Sequence, residues 1–441
     1  MAAIVGNGGS PVSYARRTVV AYCHAVLEHR DPGRWRGTRR RFLAGSAAVL
    51  AARNVPVGRP TTPVPPAPAP PASTVASGPP SWVAPGVRIT HHTATATIGS
   101  MSYELVEDPA GTWVDPTSGK RYREVFTSTP SPSGGTGSGE GLWTVDVVAV
   151  DGGDVVLSRT NYINDAFNGV YAPGSATGER VAASSVPTVW VHPTELAAMT
   201  SDTAGARLVL DGPVKIGETS YEARSVVDPS TTAYSFFAFE KASGVLLLSA
   251  LRTSLGAGQP TQASTTELRG VRQRTTPGIA TAVPSWVSVG ATLAYRGTQS
   301  FVNPMDPSSP AFTSDVVLDV KFSEVGSTWA LYEGTIRNES VTEPASTIGA
   351  AGGIGPYWWD PQSLAAMQQG QVLDQDPLSG LTLTVGQPAS GANGPAVPIS
   401  ATMSGISAES WFDTATGVLL AQTFAVESSG LTTRIELQQM P

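Results

Sequence analysis

The chain has 441 residues, a net charge of −7 and one cysteine. Residues 1–59 carry ten arginines against two acidic residues, whereas the remainder carries 18 basic and 33 acidic residues, a net charge of −15. Phosphates repel an acidic surface, so nucleic-acid binding is not expected. Cys23 lies in the basic portion, so disulfides, thiolate metal sites and cysteine nucleophiles are not expected after it.

The first predicted element is a short basic and apolar segment at residues 38–52. Arg39, Arg40, Phe42 and Leu43 stand in the sequence TRRRFL, which leads into an apolar run of eleven residues. This segment resembles a twin-arginine export signal, whose pattern is Ser/Thr-Arg-Arg-x-Phe-Leu before a weakly hydrophobic stretch. The resemblance implies passage through the twin-arginine translocase to the cell envelope or the medium. The alternative is a basic patch beside a buried helix.

The same segment limits how the chain can meet a membrane. Eleven apolar residues are too few for a hydrocarbon core that needs about 20, so no transmembrane anchor is expected beyond the signal. Residues 1–37 are interpreted as an extended n-region or as the product of a wrongly chosen start codon. Residues 1–53 are therefore assigned to the signal region.

A proline-rich stretch at residues 54–80 follows, with ten prolines among 27 residues. Proline fixes φ and lacks an amide hydrogen, so this stretch is predicted to be an extended spacer. Its expected role is to set a distance from the membrane.

The rest of the chain is predicted to be a tandem duplication, with copies at 81–275 and 284–441. Three blocks recur in the same order. These are Pro80-Ser81-Trp82-Val83 with Pro284-Ser285-Trp286-Val287, residues 190–199 with 358–367, and residues 239–247 with 412–420. Strand-like alternation between the blocks predicts a mostly β fold, in which each copy is a curved antiparallel sheet or an incomplete barrel.

The recurring blocks also predict local structure. His192 and Asp360 precede a proline and a run of helix formers, so each is expected to cap one short helix. Gly244 and Gly417 are expected to take a positive φ in hairpin turns. Asp151-Gly152-Gly153 is a further predicted hairpin turn. The first copy carries about 36 extra residues between its tryptophan blocks, and much of this excess is predicted to be a loop from Ser128 to Gly141.

Catalytic and metal-binding patterns are missing from the sequence. It contains no phosphate loop, dinucleotide fingerprint, Gly-x-Ser-x-Gly elbow or His-Glu-x-x-His motif. His91 and His92 are expected to be structural, because neighbours on a strand face opposite ways. Asp374 and Asp376 only superficially match a calcium loop and are interpreted as part of a turn. No cofactor and no metal site is predicted.

The aromatic residues are the best lead to a site. Tyr357, Trp358, Trp359 and Trp411 are a candidate platform for a sugar or lipid-like ligand, with one of the two neighbouring tryptophans expected to be exposed. The predicted function is a non-catalytic envelope module that binds an apolar small molecule, a glycan or an envelope protein. The alternative is a secreted hydrolase that uses a pair of carboxylates, for which Glu107, Asp108 and Asp115 are weak candidates.

Overall fold

The computed structural model describes residues 78–440, apart from 99, 130–137, 166–169, 203–206, 230–232, 255–260, 303–311, 339–344, 392–393, 404 and 429–430. The predicted signal at 38–52 and most of the proline-rich stretch lie outside the described residues. Among the described residues, no helix is long and apolar enough to cross a membrane.

The first large sheet is antiparallel and has twelve strands. They are β1 Val87–Ile98, β2 Ser100–Glu107, β3 Trp113–Val114, β4 Arg121–Thr129, β5 Ser138–Asp151, β6 Asp154–Asp165, β7 Val170–Ala182, β10 Leu208–Ile216, β11 Thr219–Asp228, β12 Ala233–Glu240, β13 Leu246–Ser254 and β14 Thr261–Gln273. Their order across the sheet is β2-β4-β3-β10-β11-β12-β13-β14-β1-β5-β6-β7.

The second large sheet is antiparallel and has eleven strands. They are β15 Thr292–Val302, β16 Phe312–Val325, β17 Ala330–Asn338, β18 Ala345–Ala351, β19 Val372–Gln375, β20 Thr382–Val385, β21 Ala389–Gly391, β22 Gly394–Met403, β23 Ile406–Asp413, β24 Leu419–Ser428 and β25 Leu431–Gln439. Their order is β18-β17-β16-β15-β25-β24-β23-β22-β20-β19, with β21 beside β22. The mostly β fold is confirmed, and neither sheet closes into a barrel among the described strands.

Two short helices begin where the sequence predicts them. Helix α1 spans Pro193–Ala198 and helix α2 spans Pro361–Ala366, and a small sheet of β8 Ser185–Val186 and β9 Trp190–Val191 precedes α1. The His192 side chain accepts a hydrogen bond from the Thr194 amide at 3.2 Å, and Asp360 accepts one from the Ser363 amide at 2.8 Å. Both predicted caps are therefore confirmed.

The recurring blocks make matching contacts in the two sheets. The Trp82 indole donates to the Ser243 carbonyl at 2.7 Å, and Trp286 donates to the Thr416 carbonyl at 2.8 Å. Gly244 and Gly417 take φ values of +76° and +74°, as predicted for hairpin turns. A Cβ at Gly244 would lie 1.8 Å from the Val191 carbonyl oxygen, so the close approach also requires glycine. The duplication itself stays a prediction.

The extra length of the first copy includes three additional strands, and both ends of the predicted loop lie in strands. Strands β2, β3 and β4 lie between β1 and β5 in the chain, whereas the second sheet runs from β15 to β16 with no strand between them in its described part. Ser128 lies near the end of β4 and Gly141 lies in β5, so the prediction of a loop is wrong for both of its ends. Residues 130–137 lie outside the description.

These additional strands contribute to the core of the first sheet. Trp113 of β3 is 3% exposed and meets Phe236 of β12 edge-to-face, with ring centroids 5.5 Å apart. A Cβ at Gly212 of β10 would lie 2.6 Å from the Trp113 ring, so glycine admits the ring at this point. The second sheet has a separate core around Trp358, Phe322 and Tyr295.

Candidate functional site

A buried network of charges joins the two sheets. Three arginines and one aspartate come from the first sheet or its end, and two aspartates come from β19 and the turn after it. The members are Arg88, Asp146, Arg272, Arg274, Asp374 and Asp376. Register places Arg88 beside both Asp146 and Arg272 on adjacent strands. We call these six residues the junction, in which three positive charges balance three negative charges.

The contacts across this junction are short and well directed. Arg272 holds Asp374 with two bonds of 2.8 and 3.0 Å, and Arg88 donates to Asp376 at 3.2 Å. Arg88 also binds Asp146 through bonds of 2.7 and 2.8 Å. Burial acts to raise the pKa of Asp374, but hydrogen bonds from Arg272 and the charge of Arg274 outweigh it and lower that pKa to about 2. Asp374 is therefore an ionised partner of the arginines rather than a proton donor.

A second feature is an uncharged face on strands β15 to β17, which we call the tyrosine face. Side chains alternate across a strand, and the register pairs Tyr295 with Leu318 and Leu318 with Ile336. The residues of this face are Leu293, Tyr295, Gly297, Gln299, Ser314, Val316, Leu318, Val320, Phe322, Tyr332, Gly334 and Ile336. None is charged, because the charged residues of these strands occupy the opposite face.

Three tyrosines meet at this face. The ring of Tyr295 stacks on Tyr357 at 6.0 Å, and Tyr332 meets Tyr357 edge-to-face at 5.2 Å. Burial raises the pKa of Tyr295 and of Tyr332, and it raises the pKa of Tyr357 to about 12. All three phenols therefore stay neutral at physiological pH.

Two hydroxyl groups of this face are buried without a hydrogen-bond partner among the described residues. They are Tyr295 Oη and Ser314 Oγ, on side chains that are 0% and 7% exposed by residue. Leu318 and Ile336 beside them are only partly buried. The tyrosine face thus combines two partly exposed apolar side chains with buried hydroxyls that lack a partner among the described residues.

The matching face of the first sheet is occupied by charged groups. His91 follows Trp82 by nine residues, as Tyr295 follows Trp286. His91 lies against Trp143 with ring centroids 5.5 Å apart, and Arg159 covers Trp143 at 5.2 Å while pairing with Glu179. Burial lowers the pKa of His91 to about 4, so its ring is neutral.

The second sheet has glycines at the register positions of that ion pair. In the first sheet, Arg159 lies opposite Val145 and Glu179 lies opposite Leu157 on the adjacent strands. At the equivalent positions of the second sheet, Gly334 lies opposite Val320 and Gly349 lies opposite Tyr332. A Cβ at Gly349 would lie 2.3 Å from the Tyr332 ring. The two glycines therefore replace a large ion pair, and one of them makes room for Tyr332.

The residues of the predicted aromatic platform are separated. Trp358 is 0% exposed and contacts Trp286 and Phe322, whereas Trp359 is 5% exposed and contacts Phe412. The expectation that one of these tryptophans is exposed is wrong, because both rings are packed in the core.

The other two platform residues lie in different surroundings. Trp411 is partly buried in β23, and Tyr357 joins the three-tyrosine cluster. Binding by the four residues stays a prediction. The sequence did not predict Tyr295 and Tyr332 as site residues. The only indication of them in the sequence was their position in strands whose side chains alternate between two faces.

The remaining candidates have structural surroundings. Among the described residues, no group of three or more His, Cys, Asp or Glu side chains could hold a metal ion. Asp115 and Asp376 each accept from a serine hydroxyl three residues later, at 2.8 and 2.9 Å, within turns of similar sequence. Glu107 and Asp108 form exposed ion pairs with Lys120 and Arg123.

Comparisons with known proteins give no functional guide. No family model matches the chain, and no curated protein sequence matches it. Among solved structures it is similar to a protein of unknown function from the DUF3598 family of Nostoc punctiforme PCC 73102, at 10% identity and a TM-score of 0.17, covering 80% of this chain and 96% of that one. It is also similar to intact Ap-TbpB with its N and C lobes, at 9% identity and a TM-score of 0.15, covering 82% and 78%. Such TM-scores carry no argument about function.

Proposed function

We propose that the protein is an exported, non-catalytic binding protein of the cell envelope that takes an apolar ligand on the tyrosine face. The observation that carries this proposal is the combination of half-buried Leu318 and Ile336 with the buried hydroxyl of Tyr295, which has no hydrogen-bond partner among the described residues. Apolar lining with a few placed polar groups is typical of small-molecule sites.

The contrast between the two sheets supports the choice of the second one. In the first sheet, Arg159 and Glu179 fill the corresponding positions and Trp113 from the additional strands packs into the core. In the second sheet those positions hold Gly334 and Gly349. The missing ion pair and the partly buried apolar side chains therefore favour the tyrosine face as the binding site.

The converging carboxylates do not favour the hydrolase alternative. Asp146 and Asp374 meet at the junction, but arginines hold the pKa of each below its ordinary value. A general acid needs a carboxyl group with a raised pKa. The junction is better suited to joining the sheets than to proton transfer.

A binding experiment with a neutral fluorescent probe tests this function. The chain without its signal is titrated with N-phenyl-1-naphthylamine, and the same titration is made on Leu318→Arg and Val317→Arg. Both sites are partly buried neighbours on β16 that face opposite sides. We expect Leu318→Arg to weaken binding more than tenfold and Val317→Arg to leave it within twofold. Absence of binding to the unmodified chain, or equal losses in both variants, would contradict the proposal.

The exported location is tested separately in cells. Replacing Arg39 and Arg40 together by lysine should trap the protein in the cytoplasm, because the twin-arginine pattern specifies both residues. The measurement is the amount of protein in the cytoplasmic and extracytoplasmic fractions. Unchanged export would mean that the protein leaves the cytoplasm by another route.

A further inference from the structure

The unpartnered hydroxyls of the tyrosine face indicate what kind of polar group its ligand carries; this inference rests on the proposed binding function. A buried hydroxyl without a partner destabilises the ligand-free protein, since it has given up its bonds to water. Tyr295 Oη and Ser314 Oγ are both in this state among the described residues. A ligand oxygen would provide the acceptor that the Tyr295 hydroxyl lacks.

The charge of the face restricts that oxygen further. Arg296, Lys321 and Arg337 lie on the opposite face of β15, β16 and β17, and Arg337 is paired with Asp319 there. Among the described residues of these three strands, an ionised head group buried on the tyrosine face would therefore meet only neutral side chains. Burying an unpaired charge is far more costly than burying a neutral acceptor that is hydrogen-bonded.

We propose that the ligand is an uncharged apolar molecule whose ketone, ester or ether oxygen accepts a hydrogen bond from the Tyr295 hydroxyl. Leu318 and Ile336 contact the apolar part. The site therefore discriminates against fatty-acid anions of equal chain length.

Competition between matched ligands tests this specificity. Tetradecan-2-one and tetradecanoate are compared as competitors of N-phenyl-1-naphthylamine at pH 8. The proteins are the unmodified chain, Tyr295→Phe and the control Tyr221→Phe, and all three are refolded from urea to remove retained lipid. We expect the ketone to bind at least tenfold more tightly than the acid. Tyr295→Phe should weaken the ketone about three- to tenfold, the effect of one hydrogen bond, without changing probe affinity.

A stability measurement separates a lost ligand contact from a damaged fold. Because the Tyr295 hydroxyl has no partner in the described part of the chain, Tyr295→Phe should melt no lower than the unmodified chain while binding the ketone less well. Equal affinity for acid and ketone, or ketone binding unaffected by Tyr295→Phe, would overturn the inference and leave the binding function standing. Failure of the probe to bind the unmodified chain would overturn both.

Discussion

Replacing Asp376 of the junction by asparagine should destabilise the protein far more than the same replacement of Asp115, an aspartate in a similar turn of the first sheet. Asp376 is fully buried, lies 3.2 Å from Arg88 and 3.6 Å from Arg272, and accepts a bond from Ser379. Asp376→Asn keeps an acceptor for the turn but leaves three arginines facing two carboxylates. Breaking a buried ion pair costs about 3–5 kcal/mol, and the retained amide places this change near the lower end, about 3 kcal/mol.

A matched control exists in the first sheet. Asp115 is 4% exposed and receives bonds from Ser118 Oγ and the Thr117 amide, both at 2.8 Å. Burial acts to raise the pKa of Asp115, and these hydrogen bonds outweigh it. Since the hydrogen bonds of Asp115 come from its turn and from Ser201 and not from arginines, we expect a loss of about 1 kcal/mol.

Urea unfolding followed by tryptophan fluorescence and by circular dichroism measures both variants. The junction should make the two sheets unfold together, so the two signals should coincide for the unmodified chain. If Asp376→Asn and Asp115→Asn differ by less than about 0.5 kcal/mol, the reasoning about the buried network is refuted.

Three further outcomes follow from individual contacts. The folded-state pKa of Asp374 is lowered from 3.8 to about 2, so the stabilising effect of this carboxylate is complete above pH 4 and disappears as the pH falls through 2. The urea midpoint should therefore fall less between pH 4 and pH 2 in Asp374→Asn than in the unmodified chain, and an equal fall in both would exclude Asp374 as the cause. Asp360→Ala should cost about 1 kcal/mol in urea unfolding through loss of the α2 cap, and no loss would show that the cap is dispensable. Gly417→Ala should lower the melting temperature, since its φ is +74° and a Cβ would lie 2.0 Å from the Trp359 carbonyl oxygen; an unchanged melting temperature would show that the turn adapts.

Local features of the fold could be predicted because neighbouring residues determine them. His192 and Asp360 cap their helices through amides two and three residues away. Gly152, with φ +61°, forms the predicted turn between β5 and β6. Such interactions join residues that are close in the chain, so the order of residues alone indicates them.

The junction could not be predicted because its partners are far apart in the chain. Arg88 and Asp376 are separated by 288 positions, and Arg272 and Asp374 by 102. Asp374 and Asp376 were interpreted as part of a turn. Asp376 does start that turn, yet the arginines that hold both carboxylates come from another sheet. Only the arrangement of strands brings these charges together.

The candidate site in the structure differs from the predicted aromatic platform for a related reason. Adjacent tryptophans were expected to divide between core and surface, but Trp358 and Trp359 are both buried on separate sets of aromatic neighbours. Tyr295 joins Tyr357 only through the register of β15 within the sheet. Nothing in the immediate sequence of Tyr295 distinguishes it from a core tyrosine.

Native mass spectrometry of the protein purified from the envelope fraction of exporting cells tests the central claim most directly. We predict an added mass on the unmodified chain, released as an uncharged apolar molecule with an oxygen acceptor, and its absence from Leu318→Arg purified in the same way. A bare unmodified chain, or an added mass that persists in Leu318→Arg, would contradict binding on the tyrosine face.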